Sequence, residues 1–210
     1  MQTKDAKEPR ARGRPRGFDR DEALERAMEL FWRQGYESTS ISDLTKAMNI
    51  NPPSLYATFG DKARLFLEAI ERYGCKGRQS PESILEEAPS AREAIERLLQ
   101  NAAREFTDTC HPPGCMVVSA ATNCSASSAY VQQALAARRK MAEAKIRMRL
   151  ERGMKSGELP PRTACASLAK FYTTVIEGMS IQARDGASRK SLLATAAAAM
   201  RAWPDARSER

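Results

Sequence analysis

With 210 residues, 42% hydrophobic and 29% charged, the chain has an ordinary globular balance and enough length to bury a core without metal or disulfide staples. No run of roughly eighteen apolar residues is present, which argues against a membrane span. The first sixteen residues lack the apolar centre of a secretory signal, so the expectation is a cytoplasmic protein. The formal net charge of +8 is weak evidence for a nucleic-acid partner, because residues 1–62 hold eleven basic against ten acidic side chains. Five cysteines at irregular spacing argue against a disulfide framework.

The chain opens on a basic arm, residues 1–17. Arg10, Arg12, Arg14 and Arg16 follow one another with no acid between them, and Gly13, Pro15 and Gly17 keep the arm unfolded. Beyond it the reading is helical throughout: no segment alternates with period two, and Ala, Leu, Glu, Arg and Met abound. Asp19 caps a first helix, with Glu22 completing a capping-box pattern. Leu24, Ala27, Met28 and Phe31 form its apolar stripe, and Gly35 stops it. Ser40 caps a short second helix with Ile41, Leu44 and Met48 inward. Asn49-Ile50-Asn51 makes a tight turn. A third helix then starts with Asn51 as cap and Pro52 in the first position, and it ends before Gly60. Asp61 caps a fourth helix carrying Leu65, Phe66, Ala69, Ile70 and Tyr73.

Residues 79–89 read as a polar linker, 91–107 as a helix, and 109–114, with Pro112, Pro113 and Gly114, as a loop. Residues 115–128 suggest a buried helix and a turn. A long amphipathic helix covers about 130–155, with Leu135, Met141, Ile146 and Leu150 inward. Its basic residues, Arg138, Arg139, Lys140, Lys145, Arg147, Arg149, Arg152 and Lys155, form a solvated face. Two more helices, about 162–184 and 188–203, are separated by Gly186.

Two short helices joined by a three-residue turn, the second well capped, meet the requirements of a helix-turn-helix. Its second helix would enter the major groove while the first crosses the backbone. Pro53, Ser54 and Thr58 are small groups able to reach base edges or thymine methyls. Tyr56 carries a hydroxyl suited to a phosphate, and Lys62 opens the fourth helix, where ammonium and helix dipole both favour an anion. Thr39 and Ser40 offer hydroxyls and N–H groups to the backbone. Arg14 and Arg16 either contact the minor groove or phosphates, as homeodomain arms do, or belong to a disordered tail.

Residues 18–73 resemble the DNA-binding domain of the tetracycline-repressor (TetR) family. The resemblance rests on Ala27-x-x-Leu30-Phe31, Gly35-Tyr36, Thr39-Ser40-Ile41, Leu44, Ser54-Leu55-Tyr56-x-x-Phe59 and Lys62-x-x-Leu65-Phe66, in register without gaps. Asn49 departs from the glycine that many relatives carry in the turn, a change asparagine tolerates. A looser likeness to one branch of the family lies in Gly114-Cys115-Met116-Val117-Val118-x-Ala120-Ala121 and in Glu177-Gly178-Met179 followed by Gly186-Ala187. The resemblance implies an all-α protein: a helix-turn-helix unit over 18–62, a linking helix from about 61, and a ligand-binding and dimerisation domain over 63–210. It places Ser40, Pro53, Ser54, Tyr56, Thr58 and Lys62 against operator DNA. It implies a homodimer, and release of double-stranded operator DNA when a small-molecule effector binds. Phe106, Cys115, Met116, Phe171, Tyr172 and Met179 are candidates for an apolar effector pocket. The Ala-rich faces of the last two helices, Ala164, Ala166, Ala194 and Ala196 to Ala199, are candidates for the dimer interface.

Two other readings stay open. Cys110, His111, Cys115 and Cys124 could make the same DNA-binding head a thiol- or metal-responsive sensor, although their spacing fits no familiar zinc pattern. An enzyme with a fused DNA-binding head would depend on one histidine, His111, and on no phosphate loop or nucleophile elbow, so no catalytic residue, cofactor or metal ligand is assigned.

Overall fold

The computed structural model describes residues 18–74 and 79–204, and every regular element among them is helical. Arg14, Arg16 and Cys75 lie outside the described residues. In α1 (Arg20–Gln34) Asp19 Oδ1 accepts the backbone N–H groups of Asp21 (2.8 Å) and Glu22 (3.2 Å). The expected box forms only in half, because the Glu22 carboxylate turns to Arg26 one turn along. After Gly35 come α2 (Ile41–Met48), α3 (Pro52–Phe59) and α4 (Lys62–Gly74). Phe31 and Phe66 meet edge to face, 5.0 Å between centroids, and join α1 to α4. Leu44, Leu55, Leu65 and Ile70 complete an N-terminal core.

The segment expected as a linker instead contains α5 (Pro81–Glu87). Ser80 caps it and Pro81 fills its first position, the same start signal that Asn51 and Pro52 supply to α3. Ile84 and Leu85 anchor it in a C-terminal core. That core is built from α6 (Ala91–Glu105), the later part of α8 (Ala129–Lys155), α9 (Cys165–Arg184) and α10 (Arg189–Ala199). Between α6 and α8 lie two short turns, the α-helical α7 (Met116–Ser119) and a 3-10 turn (Ala126–Ser128).

Helix α8, about 40 Å long at 1.5 Å per residue, serves both cores. Val131 and Leu135 enter the N-terminal one; Ile146 and Leu150 enter the C-terminal one. At about 100° per residue these four share one face, and Met141 falls roughly 120° or more from its centre. Met141 is therefore 57% exposed, contrary to the sequence expectation. The same register carries Arg149 onto the buried face, where it is 5% exposed and not part of a solvated one. It lies 3.7 Å from Glu158, and burial pushes its pKa down. Other residues of the basic run bind neighbouring elements: at the surface Arg138 pairs with Glu71 on α4 and Lys145 with Glu82 on α5, and Arg139 and Arg152 donate to the carbonyls of Val117 and Leu85.

No described helix is long and apolar enough to cross a membrane.

Candidate nucleic-acid interface

The α2–α3 pair is held by its own termini. Ser40 and Asp43 form a complete capping box: the Asp43 N–H donates to Ser40 Oγ (3.0 Å), and the Ser40 N–H donates to Asp43 Oδ2 (3.0 Å). The Ser40 hydroxyl also donates to Asp43 at 2.6 Å, and this bond leads the effects that hold the Asp43 carboxyl below its ordinary pKa. Asn49 ends α2 in the left-handed region, φ 55° and ψ 45°, and its N–H donates to Lys46 O. Ile50 then donates back to Thr45 O at 3.0 Å, and Asn51 Oδ1 caps α3 by accepting from the Ser54 N–H at 2.8 Å. Buried Leu44, Leu55 and Phe59 fix the angle between the two helices from beneath.

On the outer side, Pro53 and Tyr56 are exposed, the latter by 50%, and Ser54 and Thr58 are half-buried. Ser54, Ala57 and Thr58 line a groove of about 890 Å³ together with Phe18, Ser42 and Lys46. Ser42 and Lys46 were missed from the sequence. The available signal was the helical register of α2, which points both away from the face buried by Leu44 and Met48.

Two expected contacts sit differently. Thr39 is fully buried, and its hydroxyl donates to Gly35 O at 2.6 Å. It closes the α1–α2 turn and has no hydroxyl to offer a phosphate. Lys62 is half-buried, with Nζ 4.4 Å from the centroid of the Tyr36 ring and 3.4 Å from Glu37 O. Desolvation lowers its pKa. The N-terminus of α4 is already capped by Asp61, which accepts from the Arg64 N–H at 2.8 Å.

The six pocket candidates do not converge. Phe106, Tyr172 and Met179 belong to the C-terminal core, and Cys115 packs against it. Met116 points into the N-terminal core. Phe171 is 40% exposed, because neighbouring residues on a helix diverge by about 100° and only one of Phe171 and Tyr172 can face inward. The Tyr172 hydroxyl is buried with no hydrogen-bond partner among the described residues, and desolvation pushes its pKa up to about 12.

Cys110, His111, Cys115 and Cys124 do not gather into one metal-holding group. His111 stacks on Trp32 at 4.6 Å between centroids. The Cys115 sulfur accepts from the Tyr73 hydroxyl at 3.4 Å, and burial raises its pKa. Cys124 lies within electrostatic reach of Glu37 and Lys62. Among the described residues no three His, Cys, Asp or Glu side chains are placed together to hold a metal ion.

Residues 23–69 match the family profile described as bacterial regulatory proteins, tetR family. Residues 91–203 match the tetracyclin repressor-like C-terminal domain. The chain is 38% identical over 197 residues to the HTH-type transcriptional repressor ComR of Escherichia coli (strain K12), covering 93% of this chain and 94% of that protein. It is 33% identical over 195 residues to the repressor BdcR of the same strain, covering 92% and 93%. A solved structure of a cysteine mutant of the TetR family regulator CifR, complexed with 26 bp double-strand operator DNA, superposes with a TM-score of 0.88 at 46% identity. That match covers 91% of this chain and all (100%) of the other.

Proposed function

The chain belongs to the TetR family of bacterial regulatory proteins and is a DNA-binding transcriptional regulator, and from this we propose that it works as a homodimeric repressor whose hold on its operator is loosened by a small-molecule effector. The observation that carries the reading is the α2–α3 pair, capped at both starts and turned by a left-handed Asn49, with the outer side of α3 left open. Helix α3 enters the major groove, and Pro53, Ser54 and Thr58 meet base edges. Helix α2 crosses the backbone, where Ser42 and Lys46 meet phosphates, and Tyr56 and Lys62 flank the same strand. The Ser40 hydroxyl is committed to Asp43, so its contribution to DNA is the positioned start of α2. CifR, solved on operator DNA, is a precedent at 46% identity.

Dimerisation is supported by the outer faces of α9 and α10. Phe171, Thr174, Gly178 and Ile181 follow one another at helical spacing on α9 and are all exposed. On α10, Ala194 and Ala197 are exposed while Ala196 and Ala199 are buried within the subunit, which divides the Ala-rich face expected from the sequence between two roles. Two such subunits present their α3 helices to half-sites about one helical turn apart.

An effector acts through the C-terminal core. The unpartnered Tyr172 hydroxyl supports this part of the reading, since a buried polar group without a partner favours a ligand able to supply one. An effector that binds one arrangement of the core better than another shifts operator affinity by that difference.

A fluorescence-anisotropy titration at physiological salt, with DNA flanking the protein's own gene and a shuffled control, tests the function. The expected preference is about a thousandfold or more. Equal weak binding to both duplexes would count against control of its own gene.

A further inference from the structure

The DNA-binding head is joined to the C-terminal domain covalently through α4 and by the packing of α7 and the start of α8 into its core, and a further connection crosses from α9. Arg184, in the last turn of α9, donates from Nη1 to Trp32 O (2.9 Å) and from Nη2 to Arg33 O (3.1 Å). Both carbonyls belong to the final turn of α1, where the helix leaves acceptors unsatisfied and its dipole favours a cation. Nη1 also reaches Ser119 Oγ at 3.4 Å. The segment carrying Ser119 is pinned on both sides. Its Cys115 N–H donates to Ser180 Oγ of α9 at 2.8 Å, and its Ala120 O accepts from the Tyr36 N–H at 2.6 Å, just past α1. Gly114 opens the segment at φ +78°, and a Cβ there would lie 2.6 Å from Ser180 O and 2.9 Å from Arg184 Cγ. His111 stacks on Trp32 beside the same junction.

We propose that Arg184 is a positioning residue for DNA recognition: its guanidinium latches the end of α1 to α9 and so fixes the head, and with it α3, relative to the dimerisation helices. Arg184 itself meets no base and no phosphate. The inference rests on the dimeric reading above, because in a dimer built on α9 and α10 the latch sets the distance between the two α3 helices. It also makes α9, which carries Tyr172 and Met179 into the C-terminal core, a direct lever on α1.

The test uses the full-length chain and duplexes selected by the wild-type protein from a random library, resynthesised with one or two base pairs inserted at the centre. Each inserted base pair moves the half-sites by about 3.4 Å and rotates them. The wild type is expected to discriminate sharply against the insertions. Arg184→Gln is expected to bind the selected duplex about tenfold more weakly, because the head is no longer held in its binding position, and to lose most of the discrimination. Its sedimentation as a dimer and its salt slope should be unchanged, while its melting temperature falls by a few degrees as the two bonds are lost. Gly114→Ala, which keeps the Arg184 charge but crowds Ser180 O and the Arg184 stem and so wedges the segment away from α9, is expected to relax the same discrimination. Arg184→Gln with wild-type discrimination would overturn the proposal. So would a salt slope reduced by about one, which marks a lost phosphate contact instead. A wild type indifferent to the insertions would overturn the dimeric reading, and the latch with it.

Discussion

Asn49 shows how one side chain sets the geometry of a recognition unit. Its left-handed backbone directs the chain from α2 into α3. A β-carbon in that region costs about 1 kcal/mol or more unless glycine or asparagine occupies the site. Asn49→Ala should therefore lower stability by about 1 kcal/mol and weaken operator binding, while Asn49→Gly should be close to neutral. Thermal melts alongside anisotropy titrations would check both. Tyr172 makes a different prediction. Its phenol is buried and unpartnered, so Tyr172→Phe removes an unsatisfied group and should leave fold and operator affinity intact or slightly improved. If the effector bonds to that hydroxyl, the variant should bind operator normally yet need at least tenfold more effector for release. An unaltered effector response would remove Tyr172 from the pocket.

At the scale of elements, α8 matters most because it spans both cores. Leu135 and Leu150 lie on one face of the same helix, yet they pack in different halves of the protein. Truncating either to alanine should cost about 2–5 kcal/mol, with different consequences. Leu135→Ala opens a cavity against the head and should reduce operator affinity by more than its global destabilisation explains. Leu150→Ala loosens the C-terminal core and should leave operator affinity nearer wild type under conditions where the protein is folded. Circular-dichroism melts paired with operator titrations would separate the two. Equal losses of affinity at matched stability would mean that the two cores act as one. The surface salt bridges of Arg138 and Lys145 belong to this scale, since they run from α8 to α4 and α5.

For the whole molecule, the decisive surface is the exposed stripe of α9. Phe171 and Ile181 are 40% and 43% exposed in the single chain, and large apolar side chains at helical spacing favour a covering partner. Phe171→Glu should shift the protein toward monomer in sedimentation velocity and weaken operator binding about a hundredfold or more, because one head alone loses the benefit of its linked partner. A Phe171→Glu protein that remained a dimer with full affinity would place the interface elsewhere.

The sequence alone determined what local chemistry decides. The starts of α1, α2 and α3, the stop at Gly35 and the left-handed turn at Asn49 were all legible, because caps and turns act within four residues. The family motifs in residues 18–73 gave the function, since the residues of the DNA-binding unit lie close together in the chain. Tertiary structure decided everything that depended on a distant neighbour. It buried Thr39, turned Lys62 onto Tyr36 and sent Met116 into the N-terminal core and Phe171 to the surface. It also joined Arg184 to carbonyls more than 150 residues earlier. Periodicity tells which residues share a face of a helix; only packing decides what that face meets.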